Sequence, residues 1–327
     1  MPQPSDIEAA YRTLAYDVYG GWTPEDLELL RRWSAEVEGA EPEPGIILDW
    51  LGVRTSVDEY RMMALPREGK VIPGLPVPNN QVYAPAIEYI GVITAVERAM
   101  ARGKAFSMVE LGASYGPWVT NSAVLALRAG AERVEVRAVE ATRTGPDKIL
   151  AHAERNGLVG REGVTVRAFF AAVSAKRGHM FFPDLDSADD NGASATDRAV
   201  ETDYRGKPVR GVKVPAITLD EVLDGLAVAD LLHLDLQGGE LALLKDRKFL
   251  AALDAKVAMM ILGAHSREIE ATALRTLTEH GWELFRERPA RLSWSPGGAA
   301  NPVGWTVVDG EQIWINPRFP VPAPAAA

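Results

Sequence analysis

The stretch Val109-Glu110-Leu111-Gly112-Ala113-Ser114-Tyr115-Gly116-Pro117-Trp118 is a short apolar run that breaks at a glycine turn and resumes with a helical pattern. Glycines at 112 and 116 let backbone approach a bound group closely, and the first turn of the following helix offers it free N–H groups. The same turn also occurs as a plain packing device, so alone it leaves binding and packing both open. Glu140 ends the next apolar run, Val136-Arg137-Ala138-Val139-Glu140. That is about the distance at which a carboxylate accepts hydrogen bonds from ribose hydroxyls in doubly wound folds. A plain surface acid is the alternative. The spacing Gly112-x-x-x-Gly116 departs from the G-x-G-x-x-G of dinucleotide sites, so a nucleoside ligand without a pyrophosphate fits better.

A second group of polar residues follows Leu231. Side chains alternate along a strand, so His233, Asp235 and Gln237 share one face of Leu231–Gln237 while Leu232, Leu234 and Leu236 share the other. A polar face is unusual in a central parallel strand, and Asp235 falls at the carboxyl end, where ligands bind in open α/β sheets. Asp235 is therefore an active-site candidate, with helix capping as the alternative, and His233 reads as a hydrogen-bonded core histidine. His265 follows another apolar run and should emerge at the same edge. An imidazole suits a general base that removes a hydroxyl proton at neutral pH, so His265, with Asp235, is the candidate catalytic pair. Capping of the helix from Ser266 and hydrogen bonding to substrate are the other readings of His265. Asp235, Glu240 and His265 could converge on a divalent ion, magnesium by its preference for oxygen ligands. No spacing resembles a compact metal motif, and no resident metal is expected. Asp184, Asp186, Asp189 and Asp190 read as a solvated loop, and Trp118, Trp294 and Trp305 as packing residues near loops or the sheet edge.

These residues must be carried by elements that the pattern outlines. Apolar runs at Phe106–Leu111, Val134–Val139, Val164–Val173, Leu231–Leu236 and Val257–Leu262 alternate with helical segments at Asn121–Ala129, Pro146–Asn156, Leu219–Leu226, Glu240–Leu253 and Arg267–His280. Such alternation predicts a mostly parallel sheet with helices on both faces. Lys176–Pro215 interrupts it as an inserted loop or hairpin. Trp282–Arg286, Gly304–Val308 and Gln312–Ile315 read as closing strands, the last two around an Asp309-Gly310 hairpin turn. Upstream, Ala86–Arg102 is helical, and two short helices are expected between Asp6 and Glu38, the second opened by Thr23-Pro24-Glu25-Asp26. Arg67–Pro85, punctuated by prolines such as Pro73, Pro76 and Pro78, reads as an ordered linker or a lid. The end from Pro320 to Ala327 is expected to fray.

The chain has 327 residues, 47% hydrophobic and 24% charged, enough for two units or one large domain with an annex. Its formal net charge of −10 works against a surface built for phosphate backbones or anionic lipid. It contains no cysteine, which excludes disulfides, thiolate metal sites and cysteine nucleophiles. The start Met1-Pro2-Gln3-Pro4-Ser5-Asp6 lacks the character of a secretory signal, and no run approaches the ~20 apolar residues of a membrane span. A soluble, cytoplasmic protein is expected, with neither nucleic acid nor membrane as partner.

Glu110-x-Gly112-x-x-x-Gly116 followed by Glu140 resembles the cofactor site of class I S-adenosylmethionine-dependent methyltransferases. Thr218-Leu219-Asp220-Glu221-Val222-Leu223, then Asp230-Leu231-Leu232-His233-Leu234-Asp235-Leu236-Gln237-Gly238-Gly239-Glu240, resemble the T-L-D-x-L and D-L-x-K/H-I-D-[VI]-[EQ]-G-A-E blocks of the FkbM family among them. Ile261–Glu270 with Gly281-Trp282 is similar to the region after the fifth strand in one branch of that family. The resemblance covers roughly Ala86–Ile315. It implies an α/β, Rossmann-like class I methyltransferase domain over 86–318, preceded by a helical annex and linker over 1–85 and followed by a flexible tail over 319–327.

The same resemblance implies S-adenosylmethionine as cofactor and O-methylation of a sugar or polyketide-like small molecule. Glu110, Gly112 and Gly116, with Ala113 and Tyr115 of the same turn, would cradle the methionine portion, and Glu140 would hold the ribose. Ala171, Ala172 and Ser174 would border the adenine, Glu88 and Tyr89 would close the pocket, and Asp235 would face the cofactor. Gln237 and His265 would meet the acceptor. Gly239 replaces the family's usual Ala, and Gln237 a commoner Glu, which removes an acid from the active edge. A non-catalytic cofactor-binding or protein-interaction module and a dinucleotide-dependent oxidoreductase are the competing readings. The annex could be a lid or a homo-oligomer interface.

Overall fold

The structure, a computed structural model, describes residues 20–60, 65–77, 84–184, 193–199, 201, 208, 210–293 and 303–322. The expected helix from Asp6, together with Pro78, Asp186, Asp189, Asp190, Trp294 and most of the tail, lies outside the described residues.

Helix α1 (Pro24–Trp33) begins after Thr23, whose amide donates to Asp26 Oδ2 at 2.7 Å. Three short strands follow, β1 (Ile46–Asp49), β2 (Arg54–Ser56) and β3 (Lys70–Ile72), in a small sheet of order β2-β1-β3. The sequence reading of this region as helices and linker missed that sheet. Strands of three or four residues are too short to show alternation, and prolines and glycines mask what remains.

From α2 (Ala86–Arg102) the chain alternates as expected through β4 (Ala105–Leu111), α3 (Pro117–Arg128), β5 (Arg133–Glu140), α4 (Gly145–Arg155) and β6 (Val164–Phe170). The interruption is a hairpin: β7 (Ala172–Val173) and β8 (Gly178–Pro183) both pair with β9 (Gly211–Ile217), β8 antiparallel. Then come α5 (Leu219–Val222), β10 (Leu231–Leu234), α6 (Glu240–Leu243), α7 (Arg247–Lys256), β11 (Met259–Ala264), α8 (Arg267–Glu279) and β12 (Glu283–Arg288). The ribbon of β13 (Arg291–Leu292) and β14 (Thr306–Val308) leads into β15 (Gly310–Ile315).

The main sheet has seven strands in the order β12-β15-β11-β10-β4-β5-β6. Neighbours from β11 to β6 are parallel, and β15 runs antiparallel to both β11 and β12. Alternation along the strands feeds two cores. Phe106, Met108, Met259 and Ile261 join the side covered by α2, α3 and α4, while Val109, Leu111, Met260 and Leu262 join the side covered by α5, α7 and α8. This is the mostly parallel α/β sheet with helices on both faces that the sequence pattern predicts.

Three details differ from expectation. The run Val164–Val173 ends as β6 at Phe170, and Ala172–Val173 leave the main sheet as β7 to pair with β9. The single helix expected over Glu240–Leu253 is split, because Asp246 accepts the amides of Lys248 (3.0 Å) and Phe249 (2.8 Å) and starts α7 afresh. Asp309-Gly310 does not close a hairpin: β14 pairs with β13, whereas β15 enters the main sheet between β11 and β12.

Candidate active site

The carboxyl ends of β4 and β10 approach so closely that Gly112, at φ +83°, has no room for a Cβ, which would collide with the Asp235 carbonyl. Glycine is required there by the strand ends themselves. Beyond it, Gly112 and Ala113 both donate their amides to the Val139 carbonyl at 3.0 Å. Ser114, held at φ +50°, donates its amide to Glu140 Oε2 at 2.7 Å, and Thr142 donates to Oε1 at 2.7 Å. Glu110 accepts from the amides of Trp118 (3.3 Å) and Val119 (2.8 Å) and so caps α3. Gly116, at φ +72°, packs against Val119 and Ile149, so at this position the packing role is the one observed.

These elements frame a cavity of about 680 Å³. Of the residues singled out by sequence, Glu88, Glu110, Gly112, Ala113, Tyr115, Glu140, Ala171, Ala172, Ser174, Asp235 and Gln237 line it; Gly116, Tyr89 and His265 do not. Tyr89 packs beneath, edge-on to Trp118 and Trp50. Sequence reasoning missed His233, Trp118 and Lys148 as lining residues, and also the wall formed by Met180, Phe182 and residues 193–197 of the insertion. His233 was legible as buried, and its place on the polar face with Asp235 was the signal available. The insertion carries no periodicity that could have placed it.

Acidic side chains outnumber basic ones in the lining. Glu88, Glu110, Glu140, Asp197 and Asp235 face the cavity, against Lys148, whose Nζ lies 3.3 Å from Glu59 Oε2. Burial pushes the Glu110 carboxyl up to about 8, against the two amides and His233, which favour its charge. Burial likewise raises Glu140 in spite of its amide donors. His233 Nε2 is 3.1 Å from Glu88 Oε2; burial opposes its charged form, but Glu88, with Glu110 and Asp235, prevails and raises its pKa.

At one end of the cavity Gln237, at φ +54°, donates from Nε2 to Asp235 Oδ1 at 3.1 Å. Among the described residues, Ser114 and Gln237 are the non-glycine residues with positive φ, and both line the cavity. Asp235 Oδ1 lies 3.2 Å from Nε2 of His265, whose Nδ1 is 3.1 Å from Glu240 Oε1. Burial disfavours every charge in this group, yet the mutual attraction wins: Asp235 is held below the usual carboxylate range, and His265 well above the usual imidazole range by Glu240 and Asp235. Glu240 also accepts the amides of Leu236 and Gly238. The structure thus brings Asp235, Glu240 and His265 together, with His265 behind Asp235 as seen from the cavity.

A family model described as the Methyltransferase FkbM domain matches residues 110–289, more than half of the chain. A protein of Jannaschia sp. (strain CCS1), named only provisionally as a methyltransferase, is 28% identical over 291 residues, covering 88% of this chain and 98% of that protein. Among solved structures, cofactor-bound Rv0187 from MTB is 12% identical and spans 97% of this chain and 98% of that one, with a TM-score of 0.35. The O-methyltransferase from Bacillus cereus in complex with SAH is 12% identical and spans 69% of this chain and 80% of that one, with a TM-score of 0.34. Likeness at that level carries no functional argument.

Proposed function

The chain belongs to the FkbM methyltransferase family, and from that premise we propose that it methylates a hydroxyl of a sugar or polyketide-like small molecule with S-adenosylmethionine as donor. The observation that carries this reading is the set of acidic side chains that line the cavity, Glu88, Glu110, Glu140, Asp197 and Asp235. A lining rich in carboxylates fits a ligand that bears a sulfonium and an ammonium group, with Glu88 and Glu110 on the side of its amino acid portion. Glu140 fits a ribose, because each of its oxygens accepts one amide and keeps a lone pair for a hydroxyl. Ala171, Ala172, Met180 and Phe182 offer a small, apolar wall to a flat base. Bound there, S-adenosylmethionine supplies a methyl group already joined to a good leaving group, so that the protein contributes mainly alignment.

The acceptor end is assigned to Asp235 and Gln237. Asp235 is the ionised group that meets the cavity at that end, so the proton released by the acceptor hydroxyl leaves on that side. His265 does not reach the cavity, and we read it as acting through Asp235, not as a lone base. The net charge of −10 favours a small-molecule acceptor over a nucleic acid. Among the described residues no helix is long and apolar enough to cross a membrane. The dinucleotide reading is disfavoured by the same lining, since a pyrophosphate would face carboxylates with Lys148 as the cation among the lining residues.

The test is transfer of a labelled methyl group from S-adenosylmethionine to a panel of polyhydroxylated sugars and macrolide-type alcohols. Methyl ethers are the expected products. Transfer only to amines or carbon nucleophiles would refute the O-methyl assignment.

A further inference from the structure

Beside the acceptor end, side chains from four places in the fold meet around one imidazole. Asp235 follows β10, Glu240 opens α6, His265 follows β11 and Asp309 precedes β15. His265 Nε2 stands 3.2 Å from Asp235 Oδ1 and 4.0 Å from Asp309 Oδ2, with Glu240 Oε1 3.1 Å from Nδ1. One ligand atom from each of Asp235, Glu240 and His265 lies within 4.8 Å of the others. The imidazole is 3% exposed, and its buried Nδ1 has no hydrogen-bond partner of good geometry. Three carboxyl groups, those of Asp235, Glu240 and Asp309, thus surround one imidazole. Arg288, on the Asp309 side, is engaged by Glu311 (2.6 Å) and the Asp309 carbonyl (3.1 Å).

We propose that this cluster binds one divalent cation, a hard ion of the magnesium or manganese type, through Asp235, Asp309 and His265 Nε2. Two ligand atoms each ~2.1 Å from one ion stand about 3 Å apart when adjacent and about 4.2 Å apart when opposite, and the separations of 3.2 Å and 4.0 Å fall in that span. Glu240 is the positioning residue. Its oxygens are fixed by the amides of Leu236 and Gly238, and Oε1 lies 3.1 Å from Nδ1, where its charge orients the ring. The Asp235 and Asp309 side chains are 35% and 53% exposed, which gives the ion a path from solvent and leaves positions for water or acceptor oxygens. Two carboxylates and one imidazole favour such an ion over a thiophilic one. A role in holding the acceptor's oxygen rests on the methyltransferase reading above; the binding itself does not.

The experiment is titration of the EDTA-treated full-length chain with Mn²⁺, followed by the electron paramagnetic resonance signal of the free ion, with S-adenosylhomocysteine calorimetry on the same samples. One Mn²⁺ per chain is expected, with a Kd below ~1 mM, weakened at least ~10-fold by Asp309→Asn and by His265→Asn. Asp309 is half exposed, so its variant keeps the test open if the His265 variant fails to fold. Absence of stoichiometric Mn²⁺ from a wild type that binds S-adenosylhomocysteine overturns the ion site and leaves the cofactor reading standing. Mn²⁺ bound equally well by both variants also overturns it. Stoichiometric Mn²⁺ without S-adenosylhomocysteine binding supports the ion site and overturns the cofactor reading.

Discussion

Glu110 pairs two demands that conflict: it caps α3 as a carboxylate, yet burial raises its carboxyl to about 8. Its folded pKa lies above the ~4.3 of an unfolded glutamate, so the folded state holds more protons between those values, and stability falls as pH rises through that window. Denaturant titrations of the unliganded protein should show that loss between pH 5 and pH 8.5, by ~1.4 kcal/mol or more. In Glu110→Gln the slope should flatten. An unchanged slope would remove Glu110 as its source. Residue types and spacing marked Glu140 and Asp235, and the family resemblance added Glu110 and Gln237; all four line the cavity. Neither source could show that Glu140 also ties down Ser114, or that His265 stands behind Asp235, because these contacts depend on side-chain directions at the ends of strands far apart in sequence.

At the scale of elements, the site is made where β4, β5 and β10 end together. Gly112 is the point of contact, and Gly112→Ala is expected to cost several kcal/mol through strain and displacement of the Asp235 backbone. Gly74→Ala, with open space around its Cβ, should stay within about 0.5 kcal/mol. Equal denaturation midpoints for the two variants would refute the close approach. The parallel strands were legible because each is a short, mainly apolar run bounded by turn residues, as at Val257–Leu262. The small β1–β3 sheet was not, since its strands are held by pairing with one another and by the Asp49 carboxylate, which accepts the amides of Leu51 (3.0 Å) and Val53 (2.9 Å). Neither cue has a periodic signature.

Across the whole molecule, packing continues from the annex into the main domain. Leu30, Trp50, Leu51 and Val53 belong to the same core as Ile87, Ile90 and Val119. Arg286 on β12 grips Asp26 on α1 with two bonds of 2.8 and 3.0 Å, and Asn156 exchanges two 2.9 Å bonds with the Arg54 backbone. One cooperative thermal transition is therefore expected for annex and domain together, and Arg286→Ala, which strands a buried Asp26, should lower stability by about 2–4 kcal/mol. Two separate transitions in wild-type calorimetry would contradict the shared core.

The central claim is that the acidic cavity holds S-adenosylmethionine, with Glu140 on its ribose. Calorimetric titration of the wild type and of Glu140→Ala with S-adenosylmethionine and S-adenosylhomocysteine tests it most directly. One site per chain is expected in the wild type, weakened by ~10-fold or more in the variant, the worth of a charged hydrogen bond. Absence of binding heat for either ligand in the wild type up to ~1 mM, where a site worth about −4 kcal/mol is still detected, would contradict it.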